Sequence, residues 1–379
     1  MNDIKQVSFF MEECKRMNIK VLGPDVNESF YKFTVNDNNE IRFGMGAVKG
    51  VGRGAVKSII EGRKEKKYSS IFDMTKAIDL RAANKKAFDS LVYAGGLDSF
   101  KKVHRAQYLH EEGDGITFIE KALKFGSKFQ ENKNSAQVSL FENLTDTKFN
   151  EPAIPNCPKW STLKSLKQEK EVVGIYISGH PLDDFKFPIQ HFCNASLDLL
   201  NDLNLLLNKE LKIGGIVSEV EHKISKNGKG WARFVLEDYK DSYEFRIFGE
   251  EYLKYQHFLV DNSFLYLRLV VREGWRDKET GKTGEPRITY LSFQQLQDAI
   301  TNNAKKLTLQ LNLREFSDEK VEDLMKIFKK HKGKQKLDIS FFENEEKIKL
   351  TMPSENFKIS INEDLLSAIE EKNYHFKLN

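Results

Sequence analysis

From about Leu211 the apolar residues of this 379-residue sequence change their period from that of a helix to that of a strand. Five segments alternate or run apolar over short lengths: LKIGGIVSEVEHKIS, GWARFVLEDY, YEFRIFG, FLYLRLVVREGW and PRITYLSFQQL. Asn227-Gly228 supplies a turn between the first two, and EEYLKYQHFL between the third and fourth has helical spacing. A chain with this order cannot be all-helical, and its β part must close on itself or on helices to bury one face.

Five strands with a helix after the third is the order of an OB-fold, a five-stranded Greek-key barrel that binds single strands or oligosaccharides. The rest of the chain reads differently. Helical patterns run from Asp3 to Asn18 and through SSIFDMTKAI, capped by Ser69 or Ser70, and NKKAFDSLVYAGGLDSF, with further helix to about Leu123. Residues 126–160 are rich in Asn, Ser, Lys and Pro, lack a sustained period, and read as a linker. STLKSLKQEKEVVGIYI returns to helix with Ser161 as cap, and SGHPLDDF breaks it. The last eighty or so residues predict a small α+β unit. LTLQLNL, KLDISFF, KIKLTM and FKISI are strands, and a helix capped by Ser317 carries Val321, Leu324, Met325 and Phe328 on one face. A closing helix is capped by Asn362. The fold class expected is therefore multi-domain α+β.

Composition narrows the function classes. Hydrophobic residues make up 40%, enough for buried cores, and charged residues 31%, mixed in sign. The net charge of +4 is too mild to identify a polyanion partner, so local clusters must decide. Cys14, Cys157 and Cys193 are far apart and form no C-x-x-C pair, which argues against a zinc or disulfide framework and fits a reducing cytoplasm. No apolar run approaches the roughly 20 residues of a membrane span, and the first residues lack the apolar stretch of a signal peptide.

One local cluster stands out. VKGVGRGAVKSII carries Gly50, Gly52 and Gly54 immediately before a helical pattern, so the turn can expose the free amides of a helix start, a ready anion site. Between Arg42 and Lys67 eight basic residues, Lys49, Arg53 and Lys57 among them, face two acidic ones. This resembles a helix-hairpin-helix motif, which would grip a nucleic-acid backbone without reading its sequence; the alternative is a glycine turn before a solvated, lysine-rich helix. A second element, Lys85 and Lys86 with the Gly95-Gly96 turn, reads as an ordinary helix stop alone and as a second hairpin in tandem with the first. In the β part, Lys223, Lys226, Lys229 and Arg233 surround one loop beside Trp231, with Phe245 and Arg246 on the next strand. Cations there would track phosphates and aromatics would stack bases, unless the aromatics are core. His180, Asp183 and Asp184 lie in a proline turn and read as structural, and the remaining histidines have no metal-ligand spacing. No catalytic or metal residue is assigned.

FFMEECKRMNIKVLGPDVNES, IRFGMGAVKGVGRGAV, NKKAFDSLVYAGGLDSF and EKEVVGIYISGHPLD, in this order and spacing, resemble consecutive blocks of the bacterial replicative DNA polymerase III alpha subunit. The resemblance implies an arrangement. Residues 1–35 would end a fingers-like region, 36–125 hold the helix-hairpin-helix elements, and 126–160 form a linker. Residues 161–205 would be a helical connector with the SGHPLD turn, 206–298 the OB-fold, and 299–379 a domain like the one that binds the clamp-loader tau subunit. It also gives a role to Gln137-Val138-Ser139-Leu140-Phe141, which resembles the peptide that docks into the sliding clamp. Leu140 and Phe141 would be its apolar anchors.

The family is a DNA-directed DNA polymerase, a nucleotidyltransferase whose palm aspartates hold two Mg2+ ions. This sequence contains no Asp-x-Asp. The expectation is a C-terminal portion, without phosphoesterase-like, palm and thumb domains and with no cofactor of its own. It would bind the DNA duplex backbone, single-stranded template, sliding clamp and tau while adding no nucleotides by itself. The alternatives are a stand-alone DNA-binding, clamp-interacting adaptor, or a nuclease using the SGHPLDD turn.

Overall fold

The computed structural model describes residues 4–134, 150–274, 283–315, 317–343 and 348–378, which gather into two units, Met1–Pro181 and Leu182–Asn379. The Gln137–Phe141 peptide lies outside the described residues.

The first unit is helical. Helix α1 (Ile4–Arg16) leads into three two-residue strands, β1 (Val21–Leu22), β2 (Thr34–Val35) and β3 (Ile41–Arg42), with β3 central. Helices α2 (Arg53–Gly62), α3 (Ile71–Ala77), α4 (Lys85–Tyr93), α5 (Arg105–Tyr108), α6 (Phe118–Asn134) and α7 (Thr162–Val173) follow. Their starts are set by side chains that meet first-turn amides: Ser70 accepts from Asp73, Asn84 from Ala87 and Ser161 from Lys164. One core joins these helices through Val56, Ile59, Met74, Phe88, Leu91, Phe118 and Val172. Truncating Phe88, which is fully buried, to alanine would cost about 3–5 kcal/mol.

Two boundaries differ from the sequence expectation. Helix α6 runs to Asn134, eight residues past the expected start of the linker at 126. Tertiary contacts hold this polar stretch helical: Gly126 abuts the Thr75 backbone, and Gln130 donates to the Thr75 and Ile78 carbonyls at 2.8 and 2.9 Å. Helix α7 stops at Val173, short of the expected Ile177, because Gly174 takes a left-handed φ of 88° and caps it.

The second unit opens with the helix Lys186–Phe192 and is built on two sheets. The larger has β4 (Glu210–Ile224), β5 (Gly230–Glu237), β6 (Ser242–Phe248), β7 (Phe264–Arg272) and β8 (Arg287–Gln295) in the order β6-β5-β4-β7-β8, all antiparallel. All five expected strands form, and the helix Gly249–Tyr255 falls after the third. Strand β4 divides its pairing, Glu210–Ile216 with β7 and Ile216–Ile224 with β5, and its register with β5 shifts between Val217 and Glu219.

The sheet is not the closed barrel expected of an OB-fold: among the described residues no ladder joins β6 to β8. Side chains span that edge instead. The buried Tyr290 of β8 donates its hydroxyl to the Arg246 carbonyl of β6 at 3.0 Å and packs beside Phe245. The core beneath holds Ile213, Val217, Phe234, Phe245, Leu267 and Phe293.

The smaller sheet has the order β11-β10-β9-β12, from β9 (Lys306–Asn312), β10 (Lys332–Glu343), β11 (Ile348–Ile359) and β12 (His375–Leu378). Strands β9 and β10 are parallel, linked through the helix Asp318–Lys330, whose cap is Ser317 as expected. Leu324 and Phe328 are buried there, whereas Met325, expected on the same face, is exposed. The expected strands KIKLTM and FKISI are one strand, β11, which follows β10 through register shifts. The segment HFKL, not assigned from sequence, pairs with β9 as β12.

Candidate nucleic-acid interface

The first glycine turn is open. Lys49, Gly50, Gly52, Arg53, Gly54 and Lys57 are all exposed at the start of α2, while Val48, Val51, Ala55 and Val56 anchor the turn in the core. Gly50 has φ +89°, and a Cβ on it would meet the Ser90 hydroxyl at 2.8 Å, so the position requires glycine. The Lys49 amide donates to the Val172 carbonyl at 2.7 Å and fixes the turn against α7. Gly52 is the N-cap of α2 and supplies no side-chain oxygen, unlike the caps of α3, α4 and α7. The first-turn amides therefore face outward beside Lys49 and Arg53, the arrangement that suits an anion.

Lys86 extends this surface, since its aliphatic stem lies beside Gly50. Lys85 is held by Glu120 at 3.4 Å and Asp89 at 4.0 Å. Gly95 and Gly96, read from sequence as a second hairpin, are buried. The Arg105 guanidinium covers Gly95, donating to Asp98 at 2.6 Å and to Glu169 of α7 at 2.8 Å. Burial alone would lower the pKa of Arg105, but hydrogen bonds and charge from Asp98 and Glu169 outweigh it and hold the group above its ordinary value. The second glycine pair thus closes the fold and does not offer its backbone to a ligand in this geometry.

On the larger sheet the basic residues separate into two groups. Arg233 donates to Glu244 at 2.9 Å and Glu219 at 2.6 Å and also pairs with Glu221, while Arg246 donates to Glu244. Hydrogen bonds donated to Glu244 and Glu221 raise the pKa of Arg233, and those accepted from Arg233 and Arg246 lower that of Glu244. Those two arginines are matched by carboxylates. Lys226 and Lys229 are exposed on the β4–β5 turn, and the Lys223 ammonium stands 5.6 Å from the Trp231 ring while pairing with Glu221.

Trp231 stacks on Phe248, with ring centroids 5.4 Å apart at 20°. Phe248 is 55% exposed, and with Ser225, Lys229, Gly230, Trp231 and Gly249 it lines a shallow pocket of about 350 Å³. Phe248 is a residue that the sequence reading missed. Its cross-strand register with Trp231 was the signal, and that depends on knowing the β5–β6 pairing. Phe245, by contrast, is core.

Asp183 accepts from the Tyr239 hydroxyl at 3.3 Å, and His180 packs edge-on to Tyr176. Among the described residues no group of three His, Cys, Asp or Glu side chains could hold a metal ion, and no helix is long and apolar enough to cross a membrane.

Comparison with known proteins agrees with this layout. Residues 18–108 match the family model of the helix-hairpin-helix motif, and residues 307–379 match that of the DNA polymerase III alpha subunit, C-terminal domain. The DNA polymerase III subunit alpha of Pseudomonas fluorescens is 27% identical over 98% of this chain. The curated relatives that the chain resembles over nearly its whole length are DNA polymerase III alpha subunits. A second relative, the subunit alpha of Saccharopolyspora erythraea, is 30% identical over 71% of the chain. The chain spans 32% of the Pseudomonas protein and 23% of the Saccharopolyspora one. The solved small single-stranded DNA-binding protein of Streptomyces coelicolor overlaps 23% of this chain and 94% of its own at 16% identity, with a TM-score of 0.14, too low to transfer a fold.

Proposed function

We propose that this chain is the DNA-holding portion of a replicative polymerase alpha subunit. The observation that carries the reading is the first hairpin. Lys49 and Arg53 are exposed around a left-handed Gly50 at an uncapped helix start, inside the region that matches the helix-hairpin-helix motif. Backbone amides and cations at such a turn bind phosphates and do not read bases, so the contact is with the duplex backbone and independent of sequence. Lys86 belongs to the same contact.

The finer roles follow from the family. The larger sheet, an OB-fold opened at its β6–β8 edge, takes single-stranded template on Trp231 and Phe248 with Lys223, Lys226 and Lys229 along the backbone. Gln137, Val138, Ser139, Leu140 and Phe141 tether the sliding clamp, the α+β domain meets the clamp-loader tau subunit, and nucleotide addition with its Mg2+ belongs to the polymerase portion bearing the palm.

Two variants test the reading. Lys49→Gln/Arg53→Gln/Lys57→Gln should weaken binding equally for duplexes of unrelated sequence and flatten the dependence of log affinity on log salt by about one unit per lost phosphate contact. A loss confined to one sequence, or no loss, refutes the hairpin grip. Leu140→Ala/Phe141→Ala should lose the clamp in a pull-down while keeping duplex affinity, and retention of the clamp refutes that tether.

A further inference from the structure

The segment Phe30–Lys32 passes so close to the first hairpin that glycines must stand beneath it. A Cβ on Gly44 would lie 2.6 Å from the Lys32 carbonyl carbon, and one on Gly46 would lie 2.6 Å from the Tyr31 ring. The amides of Met45 and Gly46 donate to the Phe30 and Tyr31 carbonyls at 2.9 and 3.1 Å and fix the passage. As a result the Tyr31 ring, 38% exposed, lies under the Arg53 guanidinium, 5.1 Å from its carbon.

The neighbouring pair shows the contrast. Arg63 lies over Phe30, but its guanidinium donates to the Val26, Glu28 and Ser29 carbonyls and serves the fold. Among the described residues Arg53 makes no ion pair, and Tyr31 is what its guanidinium rests on. A ring under the flat face of a guanidinium leaves the N–H groups, which lie in its plane, free to form a fork around phosphate oxygens.

We infer that Tyr31 is a positioning residue of the hairpin: its ring holds Arg53 over the glycine turn, beside Lys49, with the donor edge turned outward to a DNA phosphate. This rests on the reading of the hairpin as a duplex-backbone site. A cation–π contact at an exposed site changes affinity about two- to fivefold.

The test is fluorescence anisotropy of a labelled duplex with the full chain and its variants Tyr31→Leu, Tyr31→Phe, Arg53→Gln and Tyr31→Leu/Arg53→Gln, each checked for an unchanged melting curve. Tyr31→Leu should weaken binding about two- to fivefold, Tyr31→Phe should bind as the parent does, and the double variant should bind no worse than Arg53→Gln. If Tyr31→Leu costs as much in the Arg53→Gln background as in the parent, Tyr31 acts on the fold or on DNA directly and the inference is overturned. The same holds if Tyr31→Phe loses affinity. If Arg53→Gln and the triple variant Lys49→Gln/Arg53→Gln/Lys57→Gln both leave duplex affinity unchanged, the hairpin reading itself fails and takes this inference with it.

Discussion

Arg105 and Glu169, 64 residues apart, form an ion pair at 2.8 Å in which the carboxylate side chain is 1% exposed. Glu169 also accepts from the Ser178 hydroxyl at 2.6 Å and from the amides of Ser178 and Ile177, so one acid ties α5, α7 and the start of the SGHPLD turn together. Glu169→Ala would leave Arg105 half-matched by Asp98 and strand three donors. The expected cost is about 3 kcal/mol, a fall of roughly 6–12 °C in Tm for a unit of this size. A thermal melt followed by circular dichroism reads it. Arg105→Ala in the same cycle should add little to Glu169→Ala; additive losses would mean that the two residues act independently.

Gly50 and Gly54 should respond in opposite directions to alanine. At Gly50 the left-handed backbone and the nearby Ser90 hydroxyl make a methyl group costly, about 1–2 kcal/mol from the backbone alone. At Gly54, within α2, the new Cβ would meet Ala82 at an ordinary 3.8 Å, and helix propensity favours alanine by up to about 1 kcal/mol. Gly54→Ala should therefore raise the urea midpoint while weakening duplex binding, because the methyl group stands where a phosphate would approach. A variant that is both more stable and binds as tightly would show that DNA does not come close to Gly54.

The alkaline limb of stability should report Tyr68. Burial pushes its hydroxyl up to about 12, against the opposing charge of Arg63, and the hydroxyl donates to the Ile59 carbonyl at 2.7 Å. An unfolded tyrosine ionises near pH 10. Between about pH 10 and 12 the unfolded chain has released a proton that the folded one keeps, so stability falls as pH rises through that window and is flat below it. Tyr68→Phe should reduce that slope in urea titrations, at a cost of about 1 kcal/mol at neutral pH from the lost hydrogen bond. An undiminished alkaline slope would assign the titration to other tyrosines.

Trp231 and Phe248 should matter to single strands and not to duplexes. Alanine at either position removes one face of the stack, an expected loss of about 1–3 kcal/mol in binding a labelled oligothymidylate. Duplex affinity should hold. If both variants bind the oligonucleotide as the parent does, the platform is a packing feature of the sheet.

Much of this layout is legible in the residue pattern because its signals are local. Ser161, Ser317 and Asn362 cap the helices assigned to them, and the five strands of the larger sheet follow the period-two segments. The open hairpin is legible too, since Gly50 and Gly52 stand immediately before a helix. What sequence does not carry is set at a distance. The extension of α6 depends on Thr75 and Ile78, the covering of Gly95 on Arg105, which Glu169 holds, and the neutralisation of Arg233 on carboxylates from two neighbouring strands. Basic residues in a row look like a cationic surface until the register shows which of them already face an acid.

Because Glu210–Ile224 lends its first half to one neighbour and its second half to the other, the two arms of the larger sheet have no independent route to order. A local opening on either side must fray this strand, so its middle amides, around Ile216 and Val217, should exchange with solvent most slowly of any in the sheet. The surface that carries Trp231 and Phe248 is thereby rooted in the strand expected to open last.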